Sequence, residues 1–324
     1  MTKALIRDPW SRNRLIRDSI CRAIHHKMQL DPTVYLLGEG AHMKVHFDAP
    51  DIEHDFPSRI LTLPISEDGN SNFAVGMALG GLIPIVDVIS SDFLYRTMDS
   101  ICNTMAKLGT VQSPKTMIVR AEFLTGGPTS GQRIEAMFTH VPGLKIAIPS
   151  NPIDAYEMMK SALSSKNVTI FFEDRMIKDA WFAEPTNLPL TPVDELGITS
   201  RGDEATVVSY GITHALAARA LQGKPCMLFD LRTLVPLKIS AIIDSVGDTG
   251  KLLVIEPDAK FMGIGSEIVA QVTERYSGVG WLKRYWCLKR LGGPRSVIPA
   301  SRELHDLMIP TEADILRAYE ELPL

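Results

Sequence analysis

The chain has 324 residues, 45% of them hydrophobic and 22% charged, with a formal net charge of −4. That length suggests about two domains with ample material for a core, and the acidic balance carries no footprint for a nucleic-acid partner. No stretch reaches about 18 uninterrupted apolar residues, which argues against a helical membrane span.

The four cysteines (Cys21, Cys102, Cys226 and Cys287) are scattered, without pairing or metal-ligand spacing. They suit a reducing compartment with free thiols. The start, MTKALIRDPWSRNR, is charged and unlike a signal peptide, so the expected location is cytoplasmic.

In chain order, Ile16, Ile20, Ile24 and Met28 recur at helical spacing and predict an amphipathic helix over 11–30. TVYLLGEG (33–40) reads as a buried strand stopped by glycine. NSNFAVGMALGGL (70–82) reads as a small-residue helix and IPIVDVI (83–89) as a β-branched strand. A helix is expected over 93–108 and a strand over 115–123. A glycine-rich loop, LTGGPTSGQR, spans 124–133, followed by a strand over 144–150. Asn151 or Ser150 caps a helix over 151–165, and VTIFFED (168–174) closes this half as a strand.

Short strands alternating with helices predict an α/β fold with βαβ units and a mostly parallel sheet. Ligands bind such sheets beyond the carboxyl ends of the strands. Gly38-Glu39-Gly40, the Ser90–Asp92 turn and the 124–133 loop all follow predicted strands and are expected to share one cleft.

Residues 183–203 hold three prolines without periodicity and read as an interdomain linker. It divides a first domain, 1–182, from a second, 204–324. The α/β pattern then restarts: strands over 205–211, 226–232 and 251–257, helices over 213–221, 237–247 and 264–276. A last helix over 311–321 is capped by Thr311 with Asp314 at N3.

Glu67 admits two readings. It is a carboxylate set beside an apolar helix, where desolvation raises a pKa and lets the group hold or relay a proton at neutral pH. Equally, it is an acid at a helix start, with Ser66 as cap and Glu67 and Asp68 complementing the macrodipole. His42, His46 and His54 share one polar stretch, but nothing fixes a metal geometry there, and a solvated loop accounts for them. His140, before a proline turn in THVPGLK, reads as a site residue or as a loop histidine. There is no phosphate loop, no GxSxG elbow, no HExxH and no paired CxxC.

Several segments in register carry a family resemblance. LTLPISEDG, VGMALGGLIPIVDV, DFLYRTMDSICNTMAK, IEAMFTHVPGLKIAIPSNPIDA, DLRTLVPL and LVIEP together resemble the β subunits of thiamine-diphosphate-dependent 2-oxo-acid dehydrogenases, over nearly the whole chain. The resemblance implies a pyrimidine-binding α/β domain followed by a transketolase-type C-terminal domain.

It also implies site residues. Glu67 falls at the family glutamate that hydrogen-bonds the cofactor's aminopyrimidine and favours the imino tautomer, whose nitrogen takes the thiazolium proton. Phe93 falls at the aromatic that stacks on the pyrimidine. Glu39 and Ile89 fall near the cofactor, with a strand-end acid as the alternative account of Glu39.

The family's GDG motif and following asparagines, which hold magnesium and the diphosphate, do not occur in the sequence. The resemblance therefore implies an α-type thiamine-diphosphate-binding subunit, an α₂β₂ assembly and a site between chains. One position departs from the pattern. Ser130 stands where the family has a histidine near the reacting carbons, in a shortened loop that is partly similar to transketolases. Either Ser130 merely turns the loop there, or it donates a hydrogen bond to a substrate oxygen while the proton comes from another group, His140 or a histidine of the partner.

Three functions follow as expectations. The first is a β component that decarboxylates a 2-oxo acid or transfers the resulting unit. The second is a split transketolase or acyloin-type synthase acting on a ketose or aldehyde without a lipoyl acceptor. The third is a non-catalytic partner subunit.

Overall fold

The computed structural model describes residues 15–39, 50–108, 110, 114–125, 127–178, 194–277 and 287–323. Six strands of the first half lie parallel: β1 Val34–Gly38, β2 Ile60–Thr62, β3 Ile83–Ser90, β4 Met117–Phe123, β5 Leu144–Ala147 and β6 Val168–Asp174. Five more follow in chain order: β7 Gly197–Ser200, β8 Ala205–Ser209, β9 Cys226–Asp230, β10 Thr233–Val235 and β11 Lys251–Ala259. The last is β12, Cys287–Gly293.

The first sheet runs β10-β5-β6-β4-β3-β1-β2 and the second β12-β11-β8-β9-β7. Only β10 and β7 are antiparallel to their neighbours. β4 and β6 are buried along their whole length, as expected of central parallel strands covered on both faces.

Buried charge runs across this sheet. The Arg120 guanidinium donates from Nε to Glu173 Oε1 at 2.7 Å and lies 3.8 Å from Asp87 Oδ2. The two carboxylates hold its pKa above the ordinary arginine range against the pull of desolvation.

The expected opening helix forms over Ile16–Leu30, with Ile16, Ile20, Ile24 and Met28 buried. Asn151 caps the helix Pro152–Ala162 by accepting from the Asp154 N–H at 3.0 Å. Thr311 and Asp314 form the expected capping box.

Other expectations change. The helix expected over 70–82 starts earlier, at Glu67, and the Ser66 side chain makes no capping hydrogen bond. The segment expected as one helix over 93–108 is a 3₁₀ turn, Ser91–Thr97, leading into a π turn, Ser100–Met105. Of the expected linker 183–203, residues 183–193 lie outside the described residues, whereas Gly197–Ser200 is the edge strand β7 paired with β9.

The two halves are joined through buried matter. β10, from the second half, adds to the edge of the first sheet beside β5. Val119 and Phe172 of the first half share one hydrophobic cluster with Val208, Tyr210 and Val254 of the second. Polar contacts cross the same junction: Arg232, 1% exposed, donates to Asp154 at 2.7 Å, and Ser150 donates to Asp230.

Candidate active site

Each part of the candidate site sits where a parallel strand of the first sheet ends. Glu39 follows β1 and is half-buried. At the end of β3 the ladder to β4 shifts register between Asp87 and Ser90. Within that irregularity Ile89 adopts φ = +66°. A β-branched residue in the left-handed region is a genuine outlier, and such strain gathers at functional sites. The Ile89 N–H donates to Asp87 Oδ1 at 3.0 Å, which holds the kink.

The chain then enters the 3₁₀ turn, where Ser90 and Asp92 close on each other. Phe93 is left half-buried, packed against the core.

Glu67 opens its helix with only 8% of its surface exposed. Its carboxylate faces Arg96, with Nε to Oε2 at 3.3 Å. Arg96 belongs to the same 3₁₀ turn as Phe93, so this pair ties the helix start to the turn. Its side chain is 73% exposed, so the pair orients the carboxylate without sealing it. Asn72 adds a second tie, donating to Ser100 Oγ at 2.7 Å.

The glycine-rich loop is fixed by Asp92. One carboxylate oxygen accepts from the Gly131 N–H at 2.7 Å and the Gln132 N–H at 3.2 Å; the other accepts from Gln132 Nε2 at 2.7 Å. Ser91 Oγ donates to the Gln132 carbonyl at 2.8 Å. Gly127 and Ser130 pair as a tight turn, the Ser130 N–H donating to the Gly127 carbonyl at 3.1 Å. Ser130 is half-buried, and its hydroxyl has no hydrogen-bond partner among the described residues. It is thus held two residues from a buried anchor with a hydroxyl left to offer.

Behind the loop lies a buried ionic cluster. Arg133 stacks over the Phe123 ring at 4.4 Å and donates to Asp174, with Glu135 Oε1 3.9 Å away. Tyr210, from the second half of the chain, donates to Glu135 Oε1 at 3.3 Å. Burial, and then the charge of Asp258, push the Glu135 carboxyl up to about 8, against the pull of Arg133. Burial pushes Asp258 up to about 6.

Glu67 is tied by Arg96 to the turn that carries Phe93, and Asp92 of that turn ties it to the loop that carries Ser130, with Ile89 at the end of β3 and Glu39 at the end of the adjacent β1. His140 is not brought to this group. It is exposed and caps the short helix Glu135–Thr139 on the turn that enters β5, whereas the others lie where strands end. The crossover leaves His140 before β5 begins, at the other end of the parallel strands from the carboxyl ends that carry the rest of the group.

His42 and His46 lie outside the described residues, and His54 is exposed and bonded to Asp55. Among the described residues no group of metal-ligating side chains forms, and no helix is long and apolar enough to cross a membrane. Asp92 and Arg133 belong to the turn and loop expected at the cleft, and the structure adds their organising contacts together with Arg96. An acid directly before Phe93 and the opposite charges of Arg133 and Glu135 on either side of Ile134 mark them in the sequence.

Residues 14–178 match the transketolase pyrimidine-binding domain, and residues 194–315 match the transketolase C-terminal domain. The chain belongs to the transketolase family. It is 30% identical over 327 residues to the pyruvate dehydrogenase E1 component subunit beta of Rickettsia bellii, covering 95% of this chain and 98% of that one. It is also 30% identical over 333 residues to the acetoin:2,6-dichlorophenolindophenol oxidoreductase subunit beta of Cupriavidus necator, covering 95% and 97%. In fold this transketolase-family chain resembles a split-gene transketolase, solved as an inactive beta4 tetramer, with a TM-score of 0.75 at 20% identity and coverage of 96% and 98%.

Proposed function

We propose that this chain is the β component of a two-chain thiamine-diphosphate enzyme that acts on a 2-oxo acid and transfers the acyl or aldehyde unit. An α-type partner completes the site in an α₂β₂ assembly and holds the diphosphate and magnesium, in the cytoplasm. The observation that carries this reading is the buried Glu67 carboxylate, tied by Arg96 to the turn that bears Phe93, in a chain matching both family domains.

The residues fit an aminopyrimidine. A buried carboxylate can accept a hydrogen bond from a ring nitrogen, an aromatic ring offers a face for stacking, and the strained Ile89 presents an apolar edge. When bound, the cofactor supplies the carbon nucleophile and electron sink that let a 2-oxo acid lose carbon dioxide. Glu67 orients the pyrimidine and exchanges a proton with its ring nitrogen. Phe93 and Ile89 exclude water from that face. Ser130 offers a hydrogen bond to a substrate oxygen.

The test is reconstitution with the α-type partner, a panel of 2-oxo acids and product analysis, beside a Glu67→Gln variant. The amide cannot take up the proton, so the variant should assemble normally but lose most proton exchange at the thiazolium carbon, by about 10²–10⁴ in rate. Wild-type exchange in the assembled variant would sink the role given to Glu67.

A second reading, a carbon–carbon bond-forming synthase, is favoured by Ser130. A serine hydroxyl does not titrate near neutrality as histidine does, which suits an aldehyde or ketone acceptor better than acyl transfer to lipoamide.

A further inference from the structure

The glycine-rich loop and the second half of the chain meet at a cavity of about 450 Å³. Gly131, Gln132 and Arg133 line it from the loop; Asp258, Ser296 and Val297 line it from the second half. Ser130 stands directly before the lining residues of the loop, with a hydroxyl that is no proton source near neutrality. A group that can give up a proton there comes from the second half.

Asp258 is the next-to-last residue of β11, at the carboxyl end of a parallel strand, where α/β folds place their chemistry. One of its oxygens accepts from the Ala259 N–H at 2.6 Å. The other has no hydrogen-bond partner among the described residues. The side chain also acts on both parts of the candidate site. After burial, its charge is the next cause that holds up Glu135, behind the loop. Together with Asp92 it adds to burial in raising Tyr95, in the turn that carries Phe93. Burial holds the Asp258 carboxyl itself at about 6, against the pull of the Ala259 N–H and Arg133. A carboxyl so placed is protonated in part of the molecules at neutral pH and releases the proton readily, as a general acid must.

We propose that Asp258 is the general acid toward the acceptor: it protonates the oxygen of an aldehyde or ketone whose carbonyl carbon takes the transferred unit, a task Ser130 cannot perform. As the new carbon–carbon bond forms, the C=O π pair moves onto the acceptor oxygen. The Asp258 O–H bond breaks, its proton goes to that oxygen, and the acceptor carbonyl becomes an alcohol. Solvent at the rim, beside the exposed Val297, returns a proton to Asp258.

This role rests on the proposed function, so two measurements keep them apart. The reconstituted complex is given the panel of 2-oxo acids with acetaldehyde as acceptor. Transfer is followed in single turnovers between about pH 5 and pH 8.5. Wild-type transfer should fall as pH rises above about 6, approaching about tenfold per pH unit. Asp258→Asn should remove that limb and slow transfer at about pH 6 by about 10²–10⁴. Asp258→Glu keeps an acid and should keep the limb at a reduced rate. In the isolated chain the Asp258 carboxyl carbon, assigned by its loss in either variant, should titrate by NMR with a midpoint of about 6. An Asp258 that only braces the strand end would change stability in both variants and leave the limb in place. Carbon dioxide release by the wild-type complex without acceptor reports the proposed function by itself, and no release would end that reading and this role with it. Release together with a limb that survives in Asp258→Asn, or an ordinary carboxylate midpoint for Asp258 in the isolated chain, would overturn the role of Asp258 alone.

Discussion

Ser130 and Glu135 carry the sharpest consequences of single side chains. The Ser130 hydroxyl can donate a hydrogen bond but cannot deliver a proton as an imidazolium does, and general acid catalysis is worth about 10²–10⁴ in rate. With His140 exposed at the start of β5 rather than at a strand's carboxyl end, no histidine of this loop stands in for the missing one. In the reconstituted complex, free lipoamide should therefore be acylated slowly and aldehyde acceptors used faster. Ser130→His should narrow the gap and Ser130→Ala should slow both. Rapid lipoamide acylation, indifferent to both substitutions, would show that the position has no part in acceptor choice. Glu135 gives a pH signature instead. Its carboxyl is held at about 8 in the fold, against about 4.3 in an unfolded chain. Between those values the folded chain keeps a proton the unfolded chain has released, so stability falls as pH rises and levels off above the folded value. Glu135→Gln removes that titration and leaves Tyr210 an acceptor. Its thermal midpoint should gain on wild type between about pH 5 and pH 8.5. A pH-independent difference between the two would refute the assignment.

At the scale of elements, the loop depends on Gly131 more than on any side chain it carries. Gly131 has φ = +112°, and a Cβ added there would collide with the Leu124 carbonyl oxygen. Gly131→Ala should cost about 2–4 kcal/mol of stability and lower activity even in the folded fraction, because its N–H is one of the donors that Asp92 holds. Chemical denaturation read beside activity per folded molecule checks both effects. Undiminished specific activity would mean that the Asp92 tether does not position Ser130. The loop itself was legible in the sequence, as were β4, β6 and the opening helix, because continuous apolar runs and helical spacing depend on the segment alone. The 3₁₀ and π turns over 91–105 were not. The 3₁₀ turn is held by Asp92 bonding to residues 131 and 132, far along the chain. β7 and β10 were missed for a similar reason: each is short and pairs at an edge supplied by other segments. Of the candidate site, Glu67 stands out from the residues themselves as one of two readings, whereas Phe93 is singled out only through the family resemblance. The outlier at Ile89 and the Arg96 pairing exist only once the chain is folded.

For the molecule as a whole, the halves are bound to each other through shared core and buried polar contacts, yet the proposed site is incomplete. One hydrophobic cluster takes residues from both sheets, β10 crosses to the first sheet, and Arg232 reaches Asp154. Separating the halves would strip that cluster and take Asp154 away from the buried Arg232 charge, a loss of several kcal/mol. The junction therefore works as rigid scaffold, and Glu67, Ile89 and Phe93 are displayed on its first sheet. On the proposed reading they serve the pyrimidine end of a cofactor. Among the described residues, no cluster of carboxylates or other ligands stands ready for a divalent cation, and the sequence holds no GDG stretch. A diphosphate carries most of the cofactor's charge, and charge-assisted contacts are the strong ones. A chain that offers only stacking and one carboxylate contact should bind weakly. Calorimetry with magnesium and thiamine diphosphate should give little heat with this chain by itself and tight, magnesium-dependent binding once the α-type subunit is added. Thiamine without its diphosphate should bind the assembled complex far less well, since its pyrimidine contacts are kept and its diphosphate contacts are lost. Tight magnesium-dependent binding to the isolated chain would place the diphosphate ligands here and end the two-chain account of the site.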